Sequence, residues 1–448
     1  MQKRLMTEGT PWKHILKFSL PVLAGSLLQQ LYNTVDTIIV GKYASEDALS
    51  AVGTTGSLTF LFLAIAMGFS AGNGVVVAQH YGAKDEKSVR ANASTGILFI
   101  MILGIVSTII ALIAARPAFT SLLNVDKSIL NLTVTYFRWY ALGLVFQFGY
   151  NIFSAILRAV GDSAATLYFL LISSLLNIGL DMLFVAVFKW GVAGAAVATD
   201  ISQAASFIAA YFYMSRKYPV FRFKLNEYKW NGSLVMKTVK VGFPISLQLI
   251  VVSFGLTFIQ RAVNGFGKTM TASFTVGQRI EMYLNLPCNA FQTTLATYTG
   301  QNIGAGKPER IKTGVRQTLI ISLIMTLTIS AFVTIFADDI ITLFSLSNQA
   351  AEYCLAHLRA IALINIVLSM YIPLFGVFQG ANHSGLPTIV ATSALSMRVF
   401  VTYLLRYSSF LGYTIIWWNG IFGFGIGFII TWSCYLSGIW KRNSSISA

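Results

Sequence analysis

Charged residues are scarce in this sequence. Only 11% of its 448 residues are Asp, Glu, Lys or Arg, whereas a soluble domain carries about 25%. Apolar runs of about 20 residues or more recur from end to end, and each is long enough to cross a hydrocarbon core. No segment of soluble-domain size lies between them. The composition therefore excludes a soluble globular protein and predicts a multi-pass protein whose partner is the lipid bilayer.

Cysteine and histidine are also few. The cysteines Cys288, Cys354 and Cys434 lie in or beside apolar runs, which predicts core packing and gives neither a disulfide framework nor a metal site. The histidines are scattered, so they supply no paired-histidine catalytic constellation. No GxxxxGK[ST] loop is present to bind a nucleotide. We therefore expect neither an enzyme nor a cofactor, apart from a coupling ion.

The charge that is present is mostly positive, with a formal net charge of +16. No nucleic-acid-binding module accompanies it, so we expect no nucleic-acid partner. Instead, 21 of the 32 basic residues fall on one side of the predicted spans, at residues 3–17, 84–90, 158, 216–240, 307–316 and 441–442. Basic loops stay in the cytoplasm. This pattern predicts a bacterial inner-membrane protein with both termini cytoplasmic and an even number of spans.

The sequence predicts an all-α membrane protein of about twelve helices. Helices are favoured over a β-barrel because the runs are continuously apolar and do not alternate. The predicted spans are 15–40, 49–78, 93–115, 129–156, 164–188, 191–213, 235–261, 270–299, 317–337, 350–379, 386–406 and 411–440.

The two halves of the sequence are related by an internal repeat. Pro21 recurs as Pro244, and Gly53 recurs as Gly277 at almost the same offset along the chain. Because each half has six spans, both halves have the same orientation and the repeat is parallel, as in some transporters. The predicted organisation is an N-lobe at 1–213, a basic cytoplasmic linker at 214–234 and a C-lobe at 235–448.

Several motifs, taken together, resemble the MATE (multidrug and toxic compound extrusion) family along nearly the whole chain. They are residues 21–41 (PVLAGSLLQQLYNTVDTIIVG), 51–57 (AVGTTGS), 79–85 (QHYGAKD), 158–163 (RAVGDS), 177–181 (NIGLD), 191–199 (GVAGAAVAT) and 300–310 (GQNIGAGKPER). The resemblance implies two six-helix lobes and multidrug efflux, and hence antibiotic resistance. It also implies antiport of amphipathic, often cationic, organic compounds against H⁺ or Na⁺ by alternating access.

Three acids lie within apolar spans of the first lobe, namely Asp36, Asp181 and Asp200. An acid at such a position costs roughly 2.5–3.5 kcal/mol on insertion scales, so it is a functional candidate by default. Asn177 lies four residues before Asp181 and shares its helical face. The alternative is that these acids are hydrogen-bonded structural groups.

The resembled family contains a branch, DinF-like and MepA-like, with a cation site in the first lobe. That site uses an Asp on helix one, an Asn and an Asp on helix five, and a Thr on helix six. Asp36, Asn177, Asp181 and Thr199 match this set, which implies proton coupling or, through oxygen ligands, a Na⁺ site. Asp200 departs from the family pattern. We group it with the coupling residues as an extra proton site; alternatively it is a lipid-boundary acid near a helix start.

The other branch of the family places acids on helices seven and ten, and the spans at 241–260 and 357–379 contain none. The second lobe instead carries several ionisable residues that we expect either to pair structurally or to line a cavity. They are Arg279, Glu281, His357, Arg359 and Arg398.

The first span also contains a candidate hinge. Pro21 removes a backbone hydrogen bond and favours a kink. We hypothesise that protonation of Asp36 bends the helix there; the alternative is a static kink. Polar and aromatic residues predict a substrate cavity, although packing between helices could use the same residues. The cavity set is Gln30, Tyr32, Asn33, Gln147, Tyr150, Asn151 and Tyr283, within a wider group that adds Tyr136, Tyr140, Asn285, Asn289 and Gln292.

Competing functions are less consistent with these features. A lipid-linked oligosaccharide flippase shares the two-lobe plan, but it would be expected to show a strongly cationic cavity, and the first lobe carries acids. A channel or a receptor would not explain the parallel repeat. We therefore predict an exporter of small organic molecules that works as a monomer.

Overall fold

The computed structural model describes residues 5–344, 346–408 and 412–441. Within these ranges the chain is helical and contains no strand. The helices are α1 (Pro11–Tyr43), α2 (Glu46–Gly82), α3 (Glu86–Pro117), α4 (Lys127–Leu142), α5 (Leu144–Ala159), α6 (Ser163–Asp181), α7 (Gly191–Lys217), α8 (Gly232–Asn264), α9 (Lys268–Gly304), α10 (Pro308–Ile335), α11 (Ala337–Thr342), α12 (Asn348–Gly380), α13 (Gly385–Leu405) and α14 (Ile415–Leu436).

Short polar links between the spans supply helix caps. Ser45, Asp85 and Asp162 each precede a helix, and each side chain accepts a hydrogen bond from the backbone N–H three residues later. Such a cap satisfies one of the donors that the first turn of a helix leaves unpaired. The short links of the sequence therefore start helices, and they leave little chain outside them.

The protein is a multi-pass membrane protein. Within the described ranges, nine helices are long and apolar enough to cross a bilayer, and ten if the bent pair α4 and α5 forms one span. Helices α1 and α9 are not in that count, although they contain 33 and 37 residues. Because a helix rises by about 1.5 Å per residue, each has ample length to span. With these two the count agrees with the twelve predicted spans.

Some predicted features fall outside the described residues. Lys3, Arg4 and Arg442, which the charge argument assigned to the cytoplasmic side, are among them. The same holds for residue 411, the predicted start of the twelfth span. It also holds for the first residues of the predicted N-lobe and the last residues of the predicted C-lobe.

The fourth span was predicted at 129–156, and the structure fills this range with two helices instead of one. The structure breaks the span at Gly143 into α4 and α5, whose axes are bent by 46°. Glycine weakens a helix interior because it loses the most backbone entropy on folding. Hydropathy cannot reveal such a break, because it depends on the composition of a segment and not on the direction of its helix axis.

Several helices are longer than the predicted spans. The second span was predicted at 49–78, and α2 runs from Glu46 to Gly82; the ninth was predicted at 317–337, and α10 begins at Pro308. Hydropathy marks only the segment inside the hydrocarbon core. The helices themselves continue beyond the hydrocarbon core into the polar interface, where their backbone hydrogen bonds also form.

The chain forms two compact units, and the chain passes between them near the start of α1 and again within α8. The first unit contains Leu20–Ser246 with Leu5, and the second contains Met6–Ser19 and the described residues from Leu247 onward. Helix α1 therefore begins in the second unit and continues into the first, and α8 does the reverse. Each change of unit occurs within a few residues of a repeat proline, Pro21 or Pro244.

Hydrogen bonds explain why the segment before α1 belongs to the second unit. The Met6 N–H donates to Gln301 Oε1 at 2.8 Å, and Lys307 Nζ donates to the Thr7 carbonyl at 3.0 Å. Arg310 donates to the Met6 carbonyl from the next helix. This segment satisfies its backbone on α9 and α10, so it is anchored before the helix begins.

The predicted linker at 214–234 is docked on the first unit. Arg90 of α3 donates to the Val220 carbonyl at 2.8 Å and to the Arg222 carbonyl at 2.7 Å. It also pairs with Glu227 at 2.7 Å. This hydrogen bond holds the pKa of the Glu227 carboxyl below its usual value. The linker thus packs as part of the first unit.

Candidate functional site

A cavity of about 240 Å³ lies inside the first unit. It is formed by α1, α2, α4, α5 and α7, and most of its lining side chains are polar or aromatic. They are Gln29, Tyr32, Asn33, Asp36, Gly56, Thr59, Phe60, Leu63, Tyr136, Tyr140, Gln147, Thr199 and Gln203. An aromatic cavity with a few convergent polar groups is the usual form of a site for small organic molecules.

The cavity face of α1 follows the helical repeat from Asp36. Gln29, Tyr32, Asn33 and Asp36 are spaced i, i+3, i+4 and i+7, which places them on one face. Gln30 was predicted to line the cavity but is not among the lining residues, because it lies about 100° around the helix from Gln29. Counting helical positions from Asp36 would have selected Gln29 from the sequence alone.

Asp36 and Asp181 lie beside each other in the first unit. Asp181 is completely buried and ends α6, where the helix changes to a π-helical turn at Met182–Val187. Apart from each other, Asp36 Oδ1 and both Asp181 oxygens have no hydrogen-bond partner in the described part of the chain. Carboxyl oxygens buried in this arrangement need a proton or a cation to balance their charge.

Asn177 and Thr199 add oxygen atoms near this pair. Asn177 is 2% exposed, and its Oδ1 has no partner among the described residues. Its Nδ2 donates to Thr199 Oγ1 at 3.5 Å, and Thr199 in turn donates to the Ala195 carbonyl at 3.1 Å. Carboxylate, amide and hydroxyl oxygens suit a hard cation. The residues therefore fit Na⁺ as well as H⁺.

The coupling candidates and the cavity share residues. Asp36 and Thr199 both line the cavity, so the acid pair is next to the space that a substrate could occupy. A positive charge entering the cavity would lie close to a carboxylate. A carboxylate at the edge of the cavity attracts a cation, whether organic or inorganic.

Aromatic side chains of α4 form one wall of the cavity. The rings of Tyr136 and Tyr140 are stacked, with centroids 6.2 Å apart and an interplanar angle of 18°. Gln147 of α5 donates through Nε2 to Tyr140 Oη at 3.1 Å. Stacked tyrosine faces attract organic cations through their quadrupoles. These two tyrosines belonged to the wider sequence-based group but not to the narrower predicted set.

The predicted cavity residues have different positions in the structure. Tyr32, Asn33 and Gln147 line the cavity. The Tyr150 hydroxyl donates to the Thr166 carbonyl at 3.4 Å, and Asn151 Nδ2 donates to the Gln147 carbonyl at 2.8 Å. Tyr150 therefore links α5 to α6, whereas Asn151 bonds within α5. Tyr283 is on α9 in the second unit and is 38% exposed.

Asp200 is not among the residues that line the cavity. It is on α7, one residue after Thr199, and its carboxylate lies against Gly143 at the break between α4 and α5. Pro21, the predicted hinge, is inside α1 and is partly exposed. It lies one turn of helix or less from the point at which α1 passes from one unit to the other.

Arg398, an inward-facing cation of the second unit, has partners. Arg398 Nε donates to Asn419 Oδ1 at 2.7 Å, and its guanidinium lies 4.7 Å from the centre of the Phe424 ring. Arg398 is also an electrostatic neighbour of Glu281. Arg279 and Arg359 are exposed. This pattern favours structural packing over a second ion site.

His357 is buried in the second unit and sandwiched between aromatic rings. Its ring stacks on Phe274 at 5.1 Å and on Trp417 at 4.8 Å, with interplanar angles of 4° and 25°. Such close stacking leaves the imidazole no room to turn. The geometry is that of a histidine packed into an aromatic core.

The MatE family model matches residues 21–183 and again residues 244–404, which together make up well over half of the chain. The two matched segments begin at Pro21 and at Pro244, the two prolines that the sequence repeat relates. The chain thus contains the family unit twice, which agrees with the predicted internal repeat.

Two curated relatives from Bacillus subtilis (strain 168) match along nearly their whole length. The probable multidrug resistance protein YpnP is 28% identical over 453 residues, covering 97% of each chain. The probable multidrug resistance protein YoeA is 26% identical over 445 residues, covering 97% of this chain and 96% of that protein.

A solved structure matches equally well. It is a multidrug resistance MATE family transporter of the MOP superfamily in an outward-facing conformation, with a TM-score of 0.92, 25% identity and 99% coverage of each chain. This full-length match confirms the predicted all-α fold of about twelve membrane helices in two six-helix lobes.

Proposed function

The chain belongs to the MatE family, and from this membership we propose that it is a secondary active multidrug exporter. It antiports amphipathic or cationic organic compounds against H⁺ or Na⁺ by alternating access. The observation that carries this proposal is the acid pair Asp36 and Asp181 beside an aromatic cavity, because Asp36 Oδ1 and both Asp181 oxygens have no partner but each other in the described part of the chain. The names of the full-length relatives support export over a lipid-linked oligosaccharide flippase.

The coupling residues are Asp36, Asn177, Asp181 and Thr199. The ion neutralises the acid pair, and the loss of that charge removes the attraction that held a cationic substrate near Asp36. An ion drives a conformational change only by as much as it prefers one state over the other. The preference here comes from the acid pair, which is strongly disfavoured as long as both groups are charged and shielded from water.

The driving force depends on how many charges move. One proton entering down 100 mV and one pH unit releases about 2.3 kcal/mol from the voltage and about 1.4 kcal/mol from the pH difference. Exchange of one proton for one monovalent cation cancels the voltage part and leaves only about 1.4 kcal/mol, a tenfold gradient. A pair of acids can take up two charges per cycle, which would restore the contribution of the voltage.

The substrate occupies the cavity of the first unit. Tyr136 and Tyr140 present ring faces to a flat cation, and Tyr32, Asn33 and Gln147 supply hydrogen bonds. Few of these contacts require one fixed substrate shape, since ring faces accept many flat molecules. This accounts for a range of substrates and not a single one.

The remaining assignments follow from composition and charge. The protein is placed in the bacterial inner membrane with both termini in the cytoplasm, because the basic residues concentrate on that side. It works as a monomer, as a transporter and not an enzyme. Its only required small partners are the organic substrate and the coupling ion, and the surrounding lipid is its solvent.

Dye uptake into proteoliposomes tests this proposal. Purified wild type and Asp36→Asn are compared under a pH jump alone and a Na⁺ jump alone, with Asp47→Asn as the matched control, because Asp47 is an exposed acid of the same unit. We expect wild type and the control to respond to one jump and Asp36→Asn to neither. Equal, ion-driven transport by Asp36→Asn would remove the coupling role of Asp36.

A further inference from the structure

The break in the fourth span has a specific cause in this chain. Helix α4 ends at Leu142 and α5 begins at Leu144, and their axes differ by 46°. The corresponding span of the second repeat, α12, crosses as a single helix of 33 residues. Spanning the membrane therefore does not require the break. Something in the first unit must stabilise it.

Asp200 of α7 lies at this break. A Cβ built on Gly143 would overlap both Oδ1 and Cγ of Asp200, so the carboxylate occupies the space that any other side chain at position 143 would fill. The Gly143 N–H itself donates to the Tyr140 carbonyl at 3.2 Å, and the Asp200 carboxylate lies against this part of the backbone. Helix α7 packs against both α4 and α5, which holds Asp200 in this position.

A carboxylate at this point is well matched to the backbone. The break exposes the first N–H groups of α5, which have no acceptor within their own helix. Those groups carry a partial positive charge that a nearby anion stabilises. Asp200 thus lies against polar backbone of the protein itself, in contrast to Asp36 Oδ1 and the Asp181 oxygens, which have no partner but each other among the described residues.

The break also determines the shape of the cavity wall. Tyr136 and Tyr140 come before it on α4, and Gln147 comes after it on α5. The hydrogen bond between Tyr140 and Gln147 crosses the break. A change in the angle between the two helices would move the tyrosine faces relative to the glutamine, and with them the wall that contacts a substrate.

We propose that Asp200 is a positioning residue that caps the broken fourth span and thereby sets the aromatic wall of the cavity. It is not one of the acids that exchange the coupling ion. The inference rests on the proposed export function for its effect on substrates, but the cap itself is a property of the fold. Asp200, which departs from the pattern of the resembled family, thereby acquires a role in substrate selection.

Conservative and disruptive substitutions separate a cap from an ion site. Asp200→Asn removes the charge but keeps the size of the side chain and an oxygen that can face the start of α5. Asp200→Ala removes both. Gly143→Ala keeps the acid but forces it out of its place. In proteoliposomes with ethidium as substrate, we expect Asp200→Asn to keep its ion dependence and a KM within about threefold of wild type, as removal of a single charge leaves the cap in place.

Asp200→Ala and Gly143→Ala should each raise the KM for ethidium about tenfold and leave the ion concentration for half-maximal transport unchanged, because the wall moves and the ion site does not. The double variant should be no worse than either single one, because both remove the same contact. Loss of ion-driven transport in Asp200→Asn, matching Asp36→Asn, would overturn the proposal, and so would additive effects in the double variant.

Amide hydrogen exchange tests the cap without transport. Peptides covering residues 140–147 should exchange about fivefold faster or more in Asp200→Ala than in wild type, and at the wild-type rate in Asp200→Asn. Unchanged exchange in Asp200→Ala would reject the cap even if transport were impaired. A wild type that exports no dye under either ion jump would instead reject the proposed function, and the exchange result would still decide the cap.

Discussion

The two compact units contain the same family repeat, but the ionisable groups inside their helices differ in whether they have hydrogen-bond partners. In the first unit, Asp36 Oδ1 and both Asp181 oxygens have no partner except each other within the described residues. In the second unit, Arg398 donates to Asn419 and lies over the Phe424 ring. The first unit leaves buried carboxyl oxygens without a protein donor, whereas the second gives its buried cation a hydrogen-bond acceptor and an aromatic ring.

The units also differ in the continuity of one helix. The fourth span of the first unit bends at Gly143, and its counterpart α12 runs without a break. The bend accompanies an acid, Asp200 of α7, whereas α14, the counterpart of α7, contains no acid. The comparison teaches that the repeat determines the number and order of helices, while ion chemistry and cavity shape depend on which side chains lack or find a partner.

The largest expected effect tests the contrast in inward-facing charge. Asp181→Asn should reduce ion-driven export to the level of protein-free vesicles, because the pair can no longer exchange an ion. Arg398→Met should keep the ion dependence and lose about 1–3 kcal/mol of stability, since Asn419 loses a charged donor. Uptake after an ion jump and thermal unfolding in detergent measure the two effects. Equal loss of ion dependence in both variants would contradict the contrast.

The repeat prolines give a second comparison. Pro21→Ala should slow export several-fold at unchanged ion dependence, because α1 carries Asp36 beyond the proline and would bend less readily. Pro244→Ala should slow it less, since α8 has no acid. Initial rates of dye uptake measure both. Undiminished transport by Pro21→Ala would reject the hinge.

The repeat glycines give a third comparison. A Cβ on Gly277 would overlap Nδ1 of His357, whose ring is held between Phe274 and Trp417. Gly277→Ala should therefore destabilise the protein by about 1–3 kcal/mol. Gly53, its counterpart, has nothing within 4 Å of that position, so Gly53→Ala should be neutral or stabilise by up to about 1 kcal/mol. Thermal unfolding in detergent compares the two variants. Equal shifts of the unfolding temperature would show that the two glycine positions do not differ.

The smallest expected effect concerns the segments that precede α1 and α8. The lowered pKa of Glu227 means that its pairing with Arg90 stabilises the linker at neutral pH and is lost as the pH falls through that lowered value. The segment at 6–9 is bonded through backbone carbonyls, which do not titrate. Limited proteolysis at pH 7 and at a pH below that lowered value should release the linker before the segment at 6–9. Equal release of both segments would contradict this account.

Sequence reasoning reached the class of the protein and most of its candidate ion site because both depend on local signals. Apolar runs predicted the helices, and an acid inside such a run marked Asp36 and Asp181. The spacing of Asn177 and Asp181 put them on one helical face. A local pattern of this kind is complete within a few turns of helix, so it needs no knowledge of neighbours.

Tertiary structure alone decided which ionisable groups inside the spans have partners. The bend at Gly143 and the position of Asp200 both depend on which helix lies alongside. Hydropathy and helical periodicity describe each helix by itself. The register of one helix against another is set by side-chain packing between residues far apart in the chain, and that packing decides whether an acid inside a span is a cap or an ion site.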